Sequence, residues 1–579
     1  MTSSYDRFPH LRIEMGEAIC GYDAIIEELR QRITHLPFVL SVESYPGVRD
    51  EEVVPALMRL QPECFVNMLE LYLPEEEMTR KMEPWLTDDR VFGRMYYGGV
   101  EEFFSPTSVD AAREAVAACD GLTIVYGMGA SLLCDFDCCV YLDLARWEIQ
   151  LRYRSGMGNY NCSNCDEDIL RKYKRGYFVE WRMADRIKRN LRGRIDYVVD
   201  TNRLNDPKMI TGDQYLKALE TFSRQPFRLV PYFDPGVWGG QWMKERFGLD
   251  PKAANYAWSF DGVPEENSVL ARFGDIDVEL PAIDVVLFEP RALLGEKNYA
   301  RFGAEFPIRF DFLDTMEGSN LSLQVHPTTD YIHDNFGMAY TQDESYYILD
   351  AKEDACVYLG VRDGVRSDNL LDALREAQVT GVFDAGAYVN RIPARKHDHF
   401  TIPAGTIHCS GANTMVLEIS ATPYIFTFKL WDWGRVGLDG LPRPINIEHG
   451  SKVIRWDRDT DWVAKSLVRQ TRLLYSGEDY DEVVTGLHEL EFIETRRYTI
   501  RTHVDLDMND SFSMCNLVDG TAVRVISLAG TFEPFEVHYA ETFIIPATAG
   551  TIRLEPVEGE AMLLRAYVRG SQQTEEGQR

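Results

Sequence analysis

Beyond residue 222 the chain is cut into short apolar runs by glycine, proline, asparagine and aspartate, and this texture restricts it to β architecture. LSLQVHP (321–327), ESYYILDA (344–351), CVYLGV (356–361), DHFTIPAGTIHCSG (398–411) and TMVLEISATPYIFTF (414–428) read as strands joined by turns. Only SDNLLDALREAQ (367–378) has a helical period. The pattern predicts an antiparallel sandwich or barrel. A weak repeat supports duplication: FTIPAGTIH (400–408) and FIIPATAGTI (543–552) both read as strand, Pro-Ala turn, strand, and the second copy has no histidine.

The first 222 residues read differently. Apolar strands such as FVLSVESY (38–45), GLTIVYG (121–127) and CCVYLDL (138–144) alternate with helical patterns at EEVVPALMRL (51–60) and VDAAREAVAAC (109–119). That alternation predicts an α/β domain with a parallel sheet. A chain of 579 residues is too long for one core at ~150 residues per domain. The expected division is an α/β domain (1–222), a metal-binding β domain (223–455) and a second β domain without metal ligands (456–579).

Period-two alternation in Leu321–Pro327 places Ser322, Gln324 and His326 on one face of a strand. Glu344 opens the next polar block, and His408 ends FTIPAGTIH. Two imidazoles and a carboxylate suit zinc, with Gln324 able to add an amide oxygen. The spacings of 18 and 64 residues form no short metal motif, and a lone strand histidine is more often a hydrogen-bonded residue than a ligand.

Several blocks together resemble the class I, cupin-type mannose-6-phosphate isomerases. They are LSLQVHP with FGMAYTQDESYYIL, PAGTIH (403–408), Leu417-Glu418, WDWGRVGLDGLPRPINIEHG (431–450), and Trp238-Gly239-Gly240 near the start. The resemblance covers about residues 225–455 strongly and the last 120 weakly. It implies jelly-roll (cupin) domains and a Zn2+ ion held by Gln324, His326, Glu344 and His408. It matches the family's active-site arginine to Arg435, and it implies interconversion of mannose 6-phosphate and fructose 6-phosphate through a cis-enediol. Ser322, Arg309, Lys429 and Asp432 are candidate substrate-binding residues. In a strand, Asp432 and Arg435 would fall on opposite faces, so both serve the site only if a turn separates them.

Two departures from the family bear on the substrate. Gln342 and Asp311 stand where the family commonly has lysines, and Arg309 remains two residues from Asp311. Loss of two cations weakens binding to a dianionic phosphate. Two alternatives follow: a catalytically weak cupin that binds or senses a sugar, and an isomerase of an unphosphorylated sugar.

The amino-terminal part loosely resembles P-loop nucleoside kinases of the uridine kinase group. The similar parts are VYLDLARWEIQLRYR (140–154), read as a strand, the basic run Lys172–Phe178, and Glu180–Arg186. The G-x-x-x-x-G-K-[ST] loop that would hold phosphates is missing. Ser41–Val48 lies where such a loop is expected, and Gly127-Met128-Gly129-Ala130-Ser131 is a lone glycine pair. The expectation is a degenerate kinase-like domain whose basic clusters are solvated helix faces. Cys162 and Cys165 form a C-x-x-C without a matching second pair, and two free thiols are the simpler reading.

The net charge of −31 argues against nucleic acid as a partner. No run approaches the ~18 apolar residues of a membrane span, and MTSSYDRFPHLRIEMGEAIC lacks the pattern of a signal peptide. The expected setting is cytoplasmic, and the expected partner is a small sugar phosphate.

Overall fold

The structure is a computed structural model, which describes residues 4–421, 424–438, 440, 443–486 and 488–571. Thr422 and Pro423 of the TMVLEISATPYIFTF run, and Asp439, Leu441 and Pro442 of the WDWGR block, lie outside the described residues. The chain forms two compact units. One comprises His10–Phe222 and Ser268–Glu289; the other comprises the residues up to Pro9, Ser223–Asn267, and the chain from Pro290 onward.

The first unit is α/β. Five parallel strands lie in the spatial order Cys64–Asn67, Leu122–Tyr126, Phe38–Ser44, Cys138–Asp143, Tyr197–Asp200. Antiparallel strands Lys208–Thr211 and Ile19–Cys20 extend one edge. LTIVY and CCVYLD are buried along their whole length, as strands of a parallel sheet covered on both faces must be. The run 140–154, expected as one strand, divides: pairing stops at Asp143 and Arg146–Arg154 is helical. Arg146, Glu148, Gln150, Leu151, Arg152 and Arg154 are good helix formers and favour helix over strand there.

The basic run is not a solvated face. Lys172, Lys174 and Arg175 are buried. Lys172 donates to three carbonyls, of Tyr153, Met157 and Cys165, and Arg175 pairs with Glu180 at 2.8 Å. Lys188 is also buried, 2.7 Å from Asp143 and 2.8 Å from Asp284. Asp284 belongs to the inserted segment Ser268–Glu289, so this ion group ties that segment to the sheet. The loop Gly127–Ser131 is filled from within. Glu43 accepts hydrogen bonds from the Gly129 and Ser131 amides and the Ser131 hydroxyl.

The second unit contains two pairs of antiparallel sheets. In the first pair, a six-stranded sheet runs His399–Ile402, Glu344–Ala351, Thr414–Ser420, Arg309–Asp314, Trp258–Gly262, Tyr232–Asp234. Its companion runs Val389–Pro393, Cys356–Val361, His408–Ser410, Leu323–Val325, Phe428–Trp431. The second pair, within 472–568, encloses a core of Leu506, Leu517, Val523, Phe543, Ile552 and Leu563, apolar throughout. Helices interrupt this half more often than the sequence pattern suggested. Pro290–Leu294, Glu296–Phe302 and Thr329–Phe336 are helices too short to show a clear period.

Among the described residues no helix is long and apolar enough to cross a membrane. All eleven cysteines are free. Cys162 donates to Glu75 at 3.0 Å.

Candidate metal centre

Both sheets of the first pair contribute to one buried group. Gln324 and His408 stand directly opposite each other in adjacent strands. His326 follows the strand Leu323–Val325, and Glu344 opens the strand Glu344–Ala351 of the other sheet. His408 begins a strand, and the Pro403–Ile407 turn separates it from His399–Ile402, as the strand–turn–strand pattern predicts.

His326 Nε2 lies 3.0 Å from one Glu344 oxygen, and His408 Nε2 lies 2.7 Å from the other. Their ligand atoms and a Glu344 oxygen fall within 4.8 Å of one another. Gln324 Nε2 is 3.3 Å from His408 Nε2. His326 and Glu344 are essentially inaccessible, as is His408.

The tautomers follow from the second nitrogens. His326 Nδ1 is 2.9 Å from the Phe426 carbonyl, and His408 Nδ1 is 2.9 Å from the Thr406 carbonyl. A carbonyl only accepts, so each Nδ1 carries the proton. In the neutral imidazole each Nε2 then turns a lone pair toward Glu344, and in the imidazolium it turns a proton. Three such groups converge only around a cation or shared protons. The donor set of two nitrogens, a carboxylate and an amide fits zinc, and the carbonyls supply the outer hydrogen bonds that orient metal-binding imidazoles. Without an ion, the histidines and the carboxylate hold one another in their charged forms. Burial pushes His326 down, but the Glu344 carboxylate more than reverses this and leaves it raised. Burial pushes Glu344 up, and the two facing imidazoles overcome it, holding it well below the carboxylate range.

Gln342 supports the group from behind. Its amide donates to Glu344 at 3.2 Å and accepts from the Phe426 backbone at 2.9 Å. In the sequence Gln342 stands out only as a residue where a lysine is expected; this bridge depends on how 342 and 426 meet in the fold, and no local signal marks it.

The remaining candidates divide into two places. Ser322 donates to Asp432 at 3.0 Å. Trp433 and Gly434 have positive φ and form a turn, so the Arg435 amide donates to the Asp432 carbonyl. The turn brings the Arg435 guanidinium onto the Asp432 carboxylate, which Arg443 also meets. Asp432 is buried, against the surface-turn alternative. Lys429 sits opposite Gln324. Arg309 lies on the other sheet, its Nε 3.9 Å from Asp311. Burial pushes Asp311 up to about 7, with Arg309 pulling it down, and pushes Glu418 well above the usual range.

Residues 21–224 match the model of a family described as a domain of unknown function (DUF8485), which spans well under half of the chain. The chain is similar to the mannose-6-phosphate isomerase ManA of Bacillus subtilis, 23% identical over 339 residues, 57% of this chain and 96% of that protein. It is also similar to the mannose-6-phosphate isomerase of Streptococcus mutans, 26% identical over 232 residues, 40% of this chain and 68% of that one. A holo, zinc-bound structure of a mannose 6-phosphate isomerase is 15% identical, covers 59% of this chain and 99% of that chain, and has a TM-score of 0.46. The similarity of this chain is therefore to mannose-6-phosphate isomerases. None of these matches supports the kinase-like resemblance of residues 1–222.

Proposed function

We propose that the second unit is a metal-dependent aldose–ketose isomerase that interconverts mannose 6-phosphate and fructose 6-phosphate, with zinc as its ion. The observation that carries the reading is the convergence of His326, Glu344 and His408 in a buried group whose Nδ1 protons are already committed to carbonyls. The names of the similar proteins supply the sugar.

In this reading Gln324, His326, Glu344 and His408 hold the ion. When bound, the ion supplies a Lewis acid that draws electron density from a carbonyl and its neighbouring hydroxyl as a proton leaves carbon. Gln342 fixes the Glu344 carboxylate, and Phe426 and Thr406 fix the imidazole planes. Ser322, Asp432 and Arg435 form a separate polar group that we assign to substrate. We add Lys429, in the strand that ends one residue before Asp432, to that assignment.

A second reading, a sugar-binding barrel with little turnover, draws on Gln342 and Asp311 in place of lysines. Purified chain loaded with zinc and offered mannose 6-phosphate separates the two. The isomerase reading expects fructose 6-phosphate, loss of turnover on chelation, and an inactive, metal-free His408→Ala variant. Full activity of that variant contradicts the site.

A further inference from the structure

In the first unit the chain leaves the strand Phe38–Ser44 for the edge strand Cys64–Asn67. It leaves both flanking strands, Leu122–Tyr126 and Cys138–Asp143, in the opposite direction. In open α/β sheets, ligands bind in the crevice outside the carboxyl ends of the strands at such a reversal. A cavity of about 220 Å³ opens there. Ser44, the last residue of its strand, lines it with Asp50 and Glu51, which begin the helix Asp50–Leu57, and with the segment Met157–Cys162. At ~30 Å³ per water the cavity has room for about seven waters, and so for a ligand of roughly as many non-hydrogen atoms.

One wall is fixed by the fold. The Asn159 amide donates to the Tyr153 hydroxyl, the Lys172 carbonyl and Glu180, and the Tyr160 hydroxyl accepts from the Met128 amide at 2.9 Å. The other side is polar and unused. Ser44 is only 3% exposed, and its hydroxyl has no hydrogen-bond partner among the described residues. A buried hydroxyl left unpaired is costly and uncommon, and one that faces a cavity marks where a ligand completes the bonding. Asp50 accepts from the Tyr126 hydroxyl with one oxygen and keeps the other. Neither Asp50 nor Glu51 meets a lysine or arginine among the described residues. Arg49 turns instead to Glu52 and Glu148, at 3.6 and 3.7 Å, and no lysine or arginine lines the cavity.

The chemistry of the walls names the ligand. Two carboxylates without a counter-charge call for a positively charged hydrogen-bond donor, and charge-assisted hydrogen bonds of this kind are the strong ones. An anion would find no cation on these walls. Val48, Leu69 and Met157 add apolar surface, which a hydrated metal ion cannot use and which methylene groups bury favourably. We propose that this cavity binds a short aliphatic amine, its ammonium held by Asp50 and Glu51, its methylenes against Val48, Leu69 and Met157, and a hydroxyl or second amine bonded to Ser44. The site lies wholly within residues 21–224, which match the domain of unknown function, and it stands or falls apart from the isomerase reading.

Calorimetric titration of the full chain with 4-amino-1-butanol, 1,4-butanediol and 4-hydroxybutyrate tests it. The three differ at one end, which is an ammonium, a hydroxyl or a carboxylate. The amino alcohol is expected to bind with one equivalent and at least about tenfold more tightly than either of the others. The double variant Asp50→Asn, Glu51→Gln keeps the shape of both side chains and is expected to erase that preference. Ser44→Ala is expected to weaken the amino alcohol to the level of 1-aminobutane, which lacks the hydroxyl. Equal binding of the diol would make the site one for neutral polyols, and tighter binding of the acid one for anions; either result overturns the proposal. So does magnesium chloride binding where the amine does not, or no binding by any of these probes. Undiminished binding of the amino alcohol by the double variant would place it elsewhere on the protein and also overturn the proposal.

Discussion

His408 turns its Nε2 to 2.7 Å from a Glu344 oxygen while its Nδ1 is held by the Thr406 carbonyl. A divalent ion placed between these two atoms takes the place of any proton they would otherwise share. Zinc is therefore expected to stabilise the protein. Binding at a hundred times the dissociation constant contributes about 2.7 kcal/mol, which thermal denaturation reads as a rise in Tm. His408→Ala should abolish the zinc-dependent part of that rise; an equal rise in the variant would place the ion elsewhere.

Gln342 joins Glu344 to the backbone of Phe426, whose carbonyl holds His326. One side chain thus braces ligands from both sheets. Gln342→Ala should lower zinc affinity roughly 10–100-fold, the usual effect of removing an outer-shell partner. Competition with a zinc chelator measures it, and unchanged affinity would show the brace to be idle.

Lys188 is buried between Asp143 and Asp284 in the first unit. Lys188→Met leaves two carboxylates without their cation and should cost about 3–5 kcal/mol. Urea denaturation, read separately for the first unit, checks the value. A loss under about 1 kcal/mol would mean that the carboxylates take up protons without penalty.

Burial pushes the Glu43 carboxyl up to about 7 from an ordinary value of 4.5, against the amide and hydroxyl hydrogen bonds that lower it. A folded-state value above the unfolded one means that the folded chain binds the extra proton. The corresponding stability is complete below about pH 4.5 and is lost as pH rises through about 7, by at most about 1.4 kcal/mol per pH unit. Glu43→Gln should remove this slope, so its stability relative to the natural chain should improve from pH 5 to 7. Parallel pH profiles would contradict the shift.

Local pattern carried much of this outcome. The period-two row of Ser322, Gln324 and His326 is visible because a strand offers only two faces, and the glycine-, proline-rich texture marks sheet without regard to partners. The helix at Arg146–Arg154 was missed because an apolar strand runs straight into it without a turn residue. The burial of Lys172 and Lys188 was also hidden. A basic run on a helix looks the same in sequence whether it meets water or carbonyls and carboxylates supplied from up to 96 residues away. The lateral row of Asp311, Glu418 and Tyr346 depends on register between three strands, which no single strand encodes. The Asp432–Arg435 contact needed a turn that the sequence posed as a condition and the positive φ angles of Trp433 and Gly434 supply.

The most direct measurement follows 13C-labelled mannose 6-phosphate and 13C-labelled mannose by NMR in the presence of zinc-loaded protein, with metal content determined on the same sample. A metal-dependent isomerase converts at least one of them to its ketose and stops when the ion is chelated. Stoichiometric zinc at the His326–Glu344–His408 group with neither sugar converted would contradict the isomerase account and leave a binding protein.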